Sequence, residues 1–362
     1  MLKPQDIQII QDFQRAGIAH KTLVREQLEL IYDHNWFNIW VPNAYGGAAK
    51  SLPEGAALLE ELAYWDGSFA WTVTLCSGAN MFAGFIDQEL AKAVFANREV
   101  CFGGSGRVGG KAVWDGQRYF ISGEWQYATG APHLTHFTLN SFIYHGDEQQ
   151  FDTEGNPLVY SFFVPKDDVL IHYDWDTFGL ESTASHSFSL INKPIDASYH
   201  FQLKPAARVS DEPLFRVPFR PFADVTLLVN YLGMYRRFLD LIQKYFFDKS
   251  KDPVWEEKFS KQRFRVLDGY QQQLEADRSQ ANVLIGRLWD KACHGDDIRE
   301  DDNVVAEIYT AARDMVRRAR EGVVSLFPLV GITAAQREHE LNIVFRNIFT
   351  ATQHSLLNIP LD

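Results

Sequence analysis

Cysteine is scarce: Cys76, Cys101 and Cys293 are the only three in 362 residues. So few thiols, so far apart, exclude a disulfide framework, and their spacing follows no metal-binding pattern. Free thiols and no bound metal are therefore expected. His133, His136, His172 and His186 show no ligand spacing either. Basic charge is also short, with 35 Lys and Arg against 47 Asp and Glu, a net charge of −12. Nucleic acid and anionic membranes both attract basic faces, so neither is expected as a partner. No apolar run reaches the ~18 residues of a membrane span. The N-terminus lacks a basic stretch followed by an apolar one, so no secretory signal is read and a cytoplasmic location is expected. The glycines of Gly103-Gly-Ser-Gly106 have neither the spacing nor the following helix of a dinucleotide fingerprint.

What is present is apolar and aromatic: 46% of the chain is hydrophobic, and Phe, Trp and Tyr make up 14% of the chain. That is ample for a large core, and length alone suggests two or three domains. Three zones differ in pattern. Residues 1–98 read as helical, with Ile7, Ile10, Phe13 and Ile18, then Leu23, Leu28 and Ile31 at near-helical spacing. Pro53 suits the first turn of a helix carrying Leu58, Leu59 and Leu62. The stretch from Phe69 to Ile86 is apolar on nearly all sides and predicts a buried helix. Residues 99–220 alternate β-branched or aromatic with polar residues and carry recurrent turn signals, which predicts a compact antiparallel β-barrel or sandwich. Residues 221–362 return to helix, with long helices over 255–293 and 302–326. Arg313, Arg317 and Arg320 fall on the polar side of the second. Thr333-Ala-Ala-Gln336 matches a capping box for the last helix. Helix, then strand, then helix argues for an α+β protein of segregated domains.

Residues 112–130 are the most informative stretch. Asp115-Gly116 between two strand-like runs predicts a hairpin. The second run ends at Trp125, Tyr127, Thr129 and Gly130. The three side chains share strand parity and are expected on one surface, suited to a flat aromatic ligand such as a flavin. Gly103-Gly-Ser-Gly106 and Gly109-Gly110 could present backbone N–H groups to a phosphate, or could be turns.

The zone order and four strings together resemble the acyl-CoA dehydrogenase superfamily over almost the whole chain. Gly123-Glu-Trp-Gln-Tyr-Ala-Thr-Gly130 resembles its flavin-facing strand, and Cys101-Phe-Gly-Gly-Ser-Gly106 a shortened form of the strand before it. Trp175-Asp-Thr-Phe-Gly-Leu-Glu-Ser-Thr-Ala-Ser-His186 resembles W-x-x-x-G-(L/M)-R-x-T-x-S. Phe345-Arg-Asn-Ile-Phe-Thr-Ala-Thr-Gln-His354 resembles the R-D-x-x-T-A-x-Q-H helix of the flavin-dependent monooxygenase branch. The resemblance implies an N-terminal helical domain (1–98), a middle antiparallel β-barrel (99–220) and a C-terminal four-helix bundle (221–362), packed as a homodimer or tetramer with FAD near the subunit interface. It places Gly104, Ser105, Trp125, Tyr127, Thr129 and Arg346 at the cofactor, and Thr129 and His354 at the chemistry.

Departures from the family divide the functional readings. Dehydrogenase members remove an α-proton with a C-terminal glutamate, but Thr350-Ala-Thr-Gln-His-Ser355 has no carboxylate. The Q-x-x-G-G-x-G-Y cofactor motif is missing, with Pro328-Leu-Val-Gly331 its nearest counterpart. Glu181 stands where the middle string has arginine. The leading expectation is an acyl-CoA dehydrogenase-like oxidoreductase that passes hydride from an acyl-CoA thioester to flavin, with an electron-transfer flavoprotein as partner. The alternative is a two-component monooxygenase using FMN or FAD reduced by a separate flavin reductase, with His354 moving protons at neutral pH. A non-catalytic scaffold is the third.

Overall fold

A computed structural model describes residues 2–358. Six helices come first: α1 (Pro4–Asp12), α2 (Gln14–His20), α3 (Arg25–Asp33), α4 (Leu52–Trp65), α5 (Gly67–Asn80) and α6 (Gln88–Phe95). Ser51 caps α4 in a reciprocal box with Glu54, and Pro53 lies in its first turn, where a missing N–H costs nothing. Asp66 closes α4 and caps α5, its carboxylate accepting from the Ser68 and Phe69 amides. Nearly every side chain of α5 is buried, as its all-round apolar sequence predicts. It packs against α4, the first strand and the long helix that follows the sheet.

Eight strands follow: β1 (Phe102–Trp114), β2 (Arg118–Ala128), β3 (His136–His145), β4 (Glu148–Gln149), β5 (Val159–Pro165), β6 (Leu170–Ile171), β7 (His186–Asp196) and β8 (His200–Phe201). The predicted hairpin joins β1 to β2, with the Asp115 carboxylate accepting from the Gln117 and Arg118 amides. The expected closed antiparallel barrel is not formed. The strands run β6-β7-β2-β1-β3-β5-β8 in one open sheet, with β4 beside β3, and β1 lies parallel to β3. Its edge strands β6 and β8 have two residues each, which leaves little unpaired edge exposed. Much of the aromatic content fills the core here: Phe102, Phe137, Phe162, Phe163 and Phe188 are all fully buried.

The remaining helices are α7 (Phe219–Lys249), α8 (Pro253–Trp255), α9 (Lys261–His294), α10 (Asn303–Leu326) and α11 (Glu340–Ala351). α7 packs against α4, α9, α10 and α11. Two expectations fail in this region. Residues Ile332–Ala335 form a 3-10 turn, and α11 starts only at Glu340, capped by His339. Arg313 is not on a solvated face; it is buried with Asp224 at 3.3 Å. An arginine on a helix surface reads as solvated until a partner from another helix covers it.

Candidate active site

The four strings converge at one end of the sheet. Gly103 lies against the end of β2: a methyl group there would come within 2.9 Å of the Thr129 carbonyl oxygen. Residues 129–131 run beside 183–184, the Gly130 amide donating to the Thr183 carbonyl at 2.8 Å. The 175–186 segment in turn meets α11. The Leu180 amide donates to Asn347 Oδ1 at 2.8 Å. Gly179 sits so close to the Arg346 carbonyl that a Cβ would fall 2.1 Å from it. Only glycine permits that approach. α5 underlies the junction, with the Cys76 thiol 3.6 Å from the Thr129 carbonyl oxygen and Trp71 edge-on to His354 at 5.7 Å.

Shared parity of Trp125, Tyr127 and Thr129 does not survive. The pairing of β2 with β7 shifts register between Trp125 and Ala128, and Tyr127 adopts a positive φ of 68°. Such a bulge re-aims the side chains after it. The Trp125 indole turns inward, stacks on Phe188 and donates to the Asn140 carbonyl at 2.9 Å. It lies over Gly109, Gly110 and Gly123, at each of which a Cβ would strike the indole. Trp125 is thus a core residue here, and Gly109-Gly110 make room for its indole. Tyr127 instead points outward, 60% exposed, with its ring edge-on to Trp175 at 6.1 Å. Thr129 is buried.

Thr129 heads a hydroxyl chain. Its Oγ1 is 2.9 Å from Ser185 Oγ, which is 2.8 Å from Thr183 Oγ1, which donates to the Leu180 carbonyl at 2.9 Å. A hydroxyl has one proton to give. With Thr183 donating to Leu180, Ser185 must donate to Thr183 and Thr129 to Ser185. Thr129 Oγ1, its proton given to Ser185, is therefore left as an acceptor.

Gly104 is pressed against the Thr138 carbonyl, and residues 105–107 bulge from the ladder, with the Ser105 hydroxyl accepting from the Arg107 amide at 3.4 Å. Arg346 is buried and already partnered. Its guanidinium donates to Asn342 Oδ1 (2.9 Å), the Phe178 carbonyl (2.8 Å) and Glu181 Oε2 (2.7 Å). The family's missing arginine at 181 is thereby explained: the glutamate there pairs with Arg346, and also with Arg337 at 2.6 Å. Arg346 braces the 178–181 turn and is not free to bind an anion. His354, half-buried after α11, has its Nδ1 accepting from the Leu356 amide at 3.4 Å, which leaves the ring proton on Nε2. Burial pushes its pKa below the ordinary histidine value, so the neutral imidazole is favoured. Tyr231 supports this end of α11, its hydroxyl donating to the Ala351 carbonyl at 2.5 Å.

Trp175, Thr183 and Ser185 lie in the 175–186 string, though without an assigned role, whereas Trp71 on α5 carries no signal in the sequence that links it to this site. The structure also gathers Cys76, Cys101 and His133, which lie 57 positions apart in sequence at the extremes, into one cluster. Among the described residues no helix is long and apolar enough to cross a membrane.

Helical front, mixed sheet and helical back with this junction define an acyl-CoA dehydrogenase-like fold. Residues 8–94 match the family described as acyl-CoA dehydrogenase, N-terminal domain. Solved structures share the fold over nearly full length. XiaF from Streptomyces sp., in complex with FADH2 and glycerol, superposes with a TM-score of 0.86 at 19% identity, covering 98% of this chain and 90% of that one. The 3-HSA hydroxylase of Rhodococcus sp. superposes with a TM-score of 0.88 at 15% identity, covering 97% and 91%. In sequence, the pigment production hydroxylase of Rhodococcus sp. is 21% identical over 88% of this chain and 82% of its own length. Indole-3-acetate monooxygenase of Pseudomonas putida is 24% identical over 60% of this chain, a match spanning 54% of that protein.

Proposed function

We propose that this chain is the oxygenase component of a two-component flavin-dependent monooxygenase that hydroxylates a small aromatic molecule. The observation that carries this reading is the direction of the Thr129 chain. A hydroxyl left as an acceptor suits an N–H donor, and reduced flavin carries a proton at N5 where oxidised flavin has a bare acceptor. The relatives support the same choice: besides the indole-3-acetate enzyme they include the oxygenase component of p-hydroxyphenylacetate 3-hydroxylase from Acinetobacter baumannii.

The residues present fit a flavin. Tyr127 and Trp175 would offer aromatic faces to the ring and Thr129 its acceptor, while Gly103 and Gly104 allow close backbone approach. FAD or FMN, reduced by a separate reductase, would supply two electrons, so that dioxygen leaves one oxygen on the substrate and the other as water. His354, with its proton on Nε2 and its ring against Trp71, would hold or pass a proton beside the site. The buried Thr129–Ser185–Thr183 chain would fix that polar edge while excluding water.

Among the described residues, the two carboxylates beside α11 are engaged, which counts against the dehydrogenase reading. Glu181 is held by Arg346 and Arg337, and Glu340 by Arg237. A division at 1–98, 99–220 and 221–362 accompanies the proposal. So does a homodimer or tetramer built on a C-terminal helical bundle, since α9 leaves Val266 and Val283 39% and 58% exposed; light scattering tests it. The function is tested by supplying the chain with enzymatically reduced FAD or FMN, oxygen and a panel of aromatic acids and indoles. A product carrying one oxygen from 18O2 is expected. Anaerobic bleaching of bound oxidised flavin by an acyl-CoA thioester, with no oxygen transfer, would overturn the proposal.

A further inference from the structure

Cys76 on α5, Cys101 just before β1 and His133 in the turn after β2 each present one donor atom, and the three lie within 4.8 Å of one another. Both thiols are buried. Both ring nitrogens of His133 are buried and neither has a hydrogen-bond partner. Such orphaned nitrogens call for a specific explanation. The ring is held by Phe37, stacked at 5.8 Å. It also lines a surface cavity of about 470 Å³ with Pro132, His136 and Lys166, which offers a path inward.

We propose that Cys76, Cys101 and His133 form a site for one soft divalent metal ion, Zn2+. Two sulfurs and an imidazole are a donor set this ion prefers, at about 2.3 Å for sulfur and 2.0–2.1 Å for nitrogen. Tetrahedral bonds of that length put the donor atoms about 3.8 Å apart or less, so the cluster has only to contract slightly. The Thr129 carbonyl, 3.6 Å from the Cys76 sulfur, or a water from the cavity completes four donors. Charge decides for a divalent ion: two thiolates and a neutral imidazole with Zn2+ sum to zero, whereas a monovalent ion would leave a net negative charge buried. Each ion bound forms two Zn–S bonds and releases two thiol protons to solvent, so affinity rises with pH. The site would pin α5, the sheet and the segment carrying Thr129 together.

The test is titration of the full chain, reduced and chelator-treated, with Co2+ and then Zn2+, in wild type and Cys293→Ser. One Co2+ per chain with thiolate-to-cobalt charge-transfer absorption is expected in both, displaced by Zn2+ and accompanied by a Tm rise of several degrees. His133→Gln and Cys101→Ser should lose the absorption. Because those variants could fold poorly, alkylation of the unmutated protein is mapped as well: Zn2+ should protect Cys76 and Cys101 several-fold while Cys293 reacts unchanged. No charge-transfer band in fully reduced wild type, or equal alkylation with and without Zn2+, overturns the proposal. A Cys76–Cys101 disulfide that forms despite Zn2+ does so too.

Discussion

Glu181 is the most exacting test of how the site is held. Its side chain is 7% exposed and that of Arg346 6%, while the second partner, Arg337, is 73% exposed. Glu181→Gln keeps the shape but leaves the Arg346 guanidinium buried with no counter-charge. Removing one member of a buried pair costs about 3–5 kcal/mol. Arg346 retains three neutral acceptors, Asn342 and the Phe178 and Arg337 carbonyls, so the lower end, about 3 kcal/mol, applies. Arg337→Ala breaks a pair with one end in water and should cost about 0–1 kcal/mol. Urea unfolding followed by tryptophan fluorescence reads both, and Glu181→Gln/Arg337→Ala should be no less stable than Glu181→Gln by more than about 0.5 kcal/mol. Since Leu180 and Thr183 flank Glu181, reduced-flavin affinity should fall with Glu181→Gln and not with Arg337→Ala. The reasoning is refuted if Arg337→Ala destabilises as much as Glu181→Gln, because exposure would then not govern the pair.

Other consequences can be measured directly. Thr129→Val removes the head of the hydroxyl chain and should weaken reduced-flavin binding by about 1–3 kcal/mol, the cost of an unmade buried hydrogen bond, more than oxidised flavin; equal effects on both forms would remove the acceptor role. Tyr127→Ala should weaken flavin binding with little change in Tm, as the ring is exposed, and wild-type affinity would exclude it from the site. His354→Ala should slow hydroxylation and flatten its pH profile below pH 7 while stopped-flow flavin binding stays near wild type; unchanged turnover would exclude the histidine. Asp66, buried, has its carboxyl pushed up from 3.8 to about 6 by desolvation. A raised folded-state pKa favours folding below the unfolded value and loses that advantage as pH rises through about 6, here about 3 kcal/mol in all. Asp66→Asn, which keeps the cap, should therefore be more stable than wild type at pH 8 but not at pH 4; a pH-independent difference would show that Asp66 is ionised throughout. Gly123→Ala should unfold the sheet's end, since the methyl meets the Gly110 backbone at 2.5 Å and the Trp125 indole at 2.9 Å; a Tm within a degree of wild type would show that the indole can move.

Local signals were legible wherever one segment sufficed. Pro53 in the first turn of α4, the Asp115 hairpin and the all-apolar α5 were readable because helix starts, turns and hydrophobic periodicity act over a few residues. The face of Tyr127 was not readable. Strand parity predicts it only while the pleat continues, and the bulge before Ala128 is imposed by pairing with β7. Arg313 was misread, and the partner of Arg346 could not be named, for a related reason: Asp224 and Glu181 are 89 and 165 positions away.

The sequence alone therefore determined the helical and strand zones, the resemblance to the superfamily and the strings that carry it, because each depends on residue types in short order along the chain. Tertiary structure alone decided that the sheet stays open, that Trp125 serves the core while Tyr127 faces out, that Arg346 is spent on Glu181, and that two distant cysteines meet a partnerless histidine. Those outcomes depend on which surfaces come together, and burial and hydrogen-bond direction are settled only when they do.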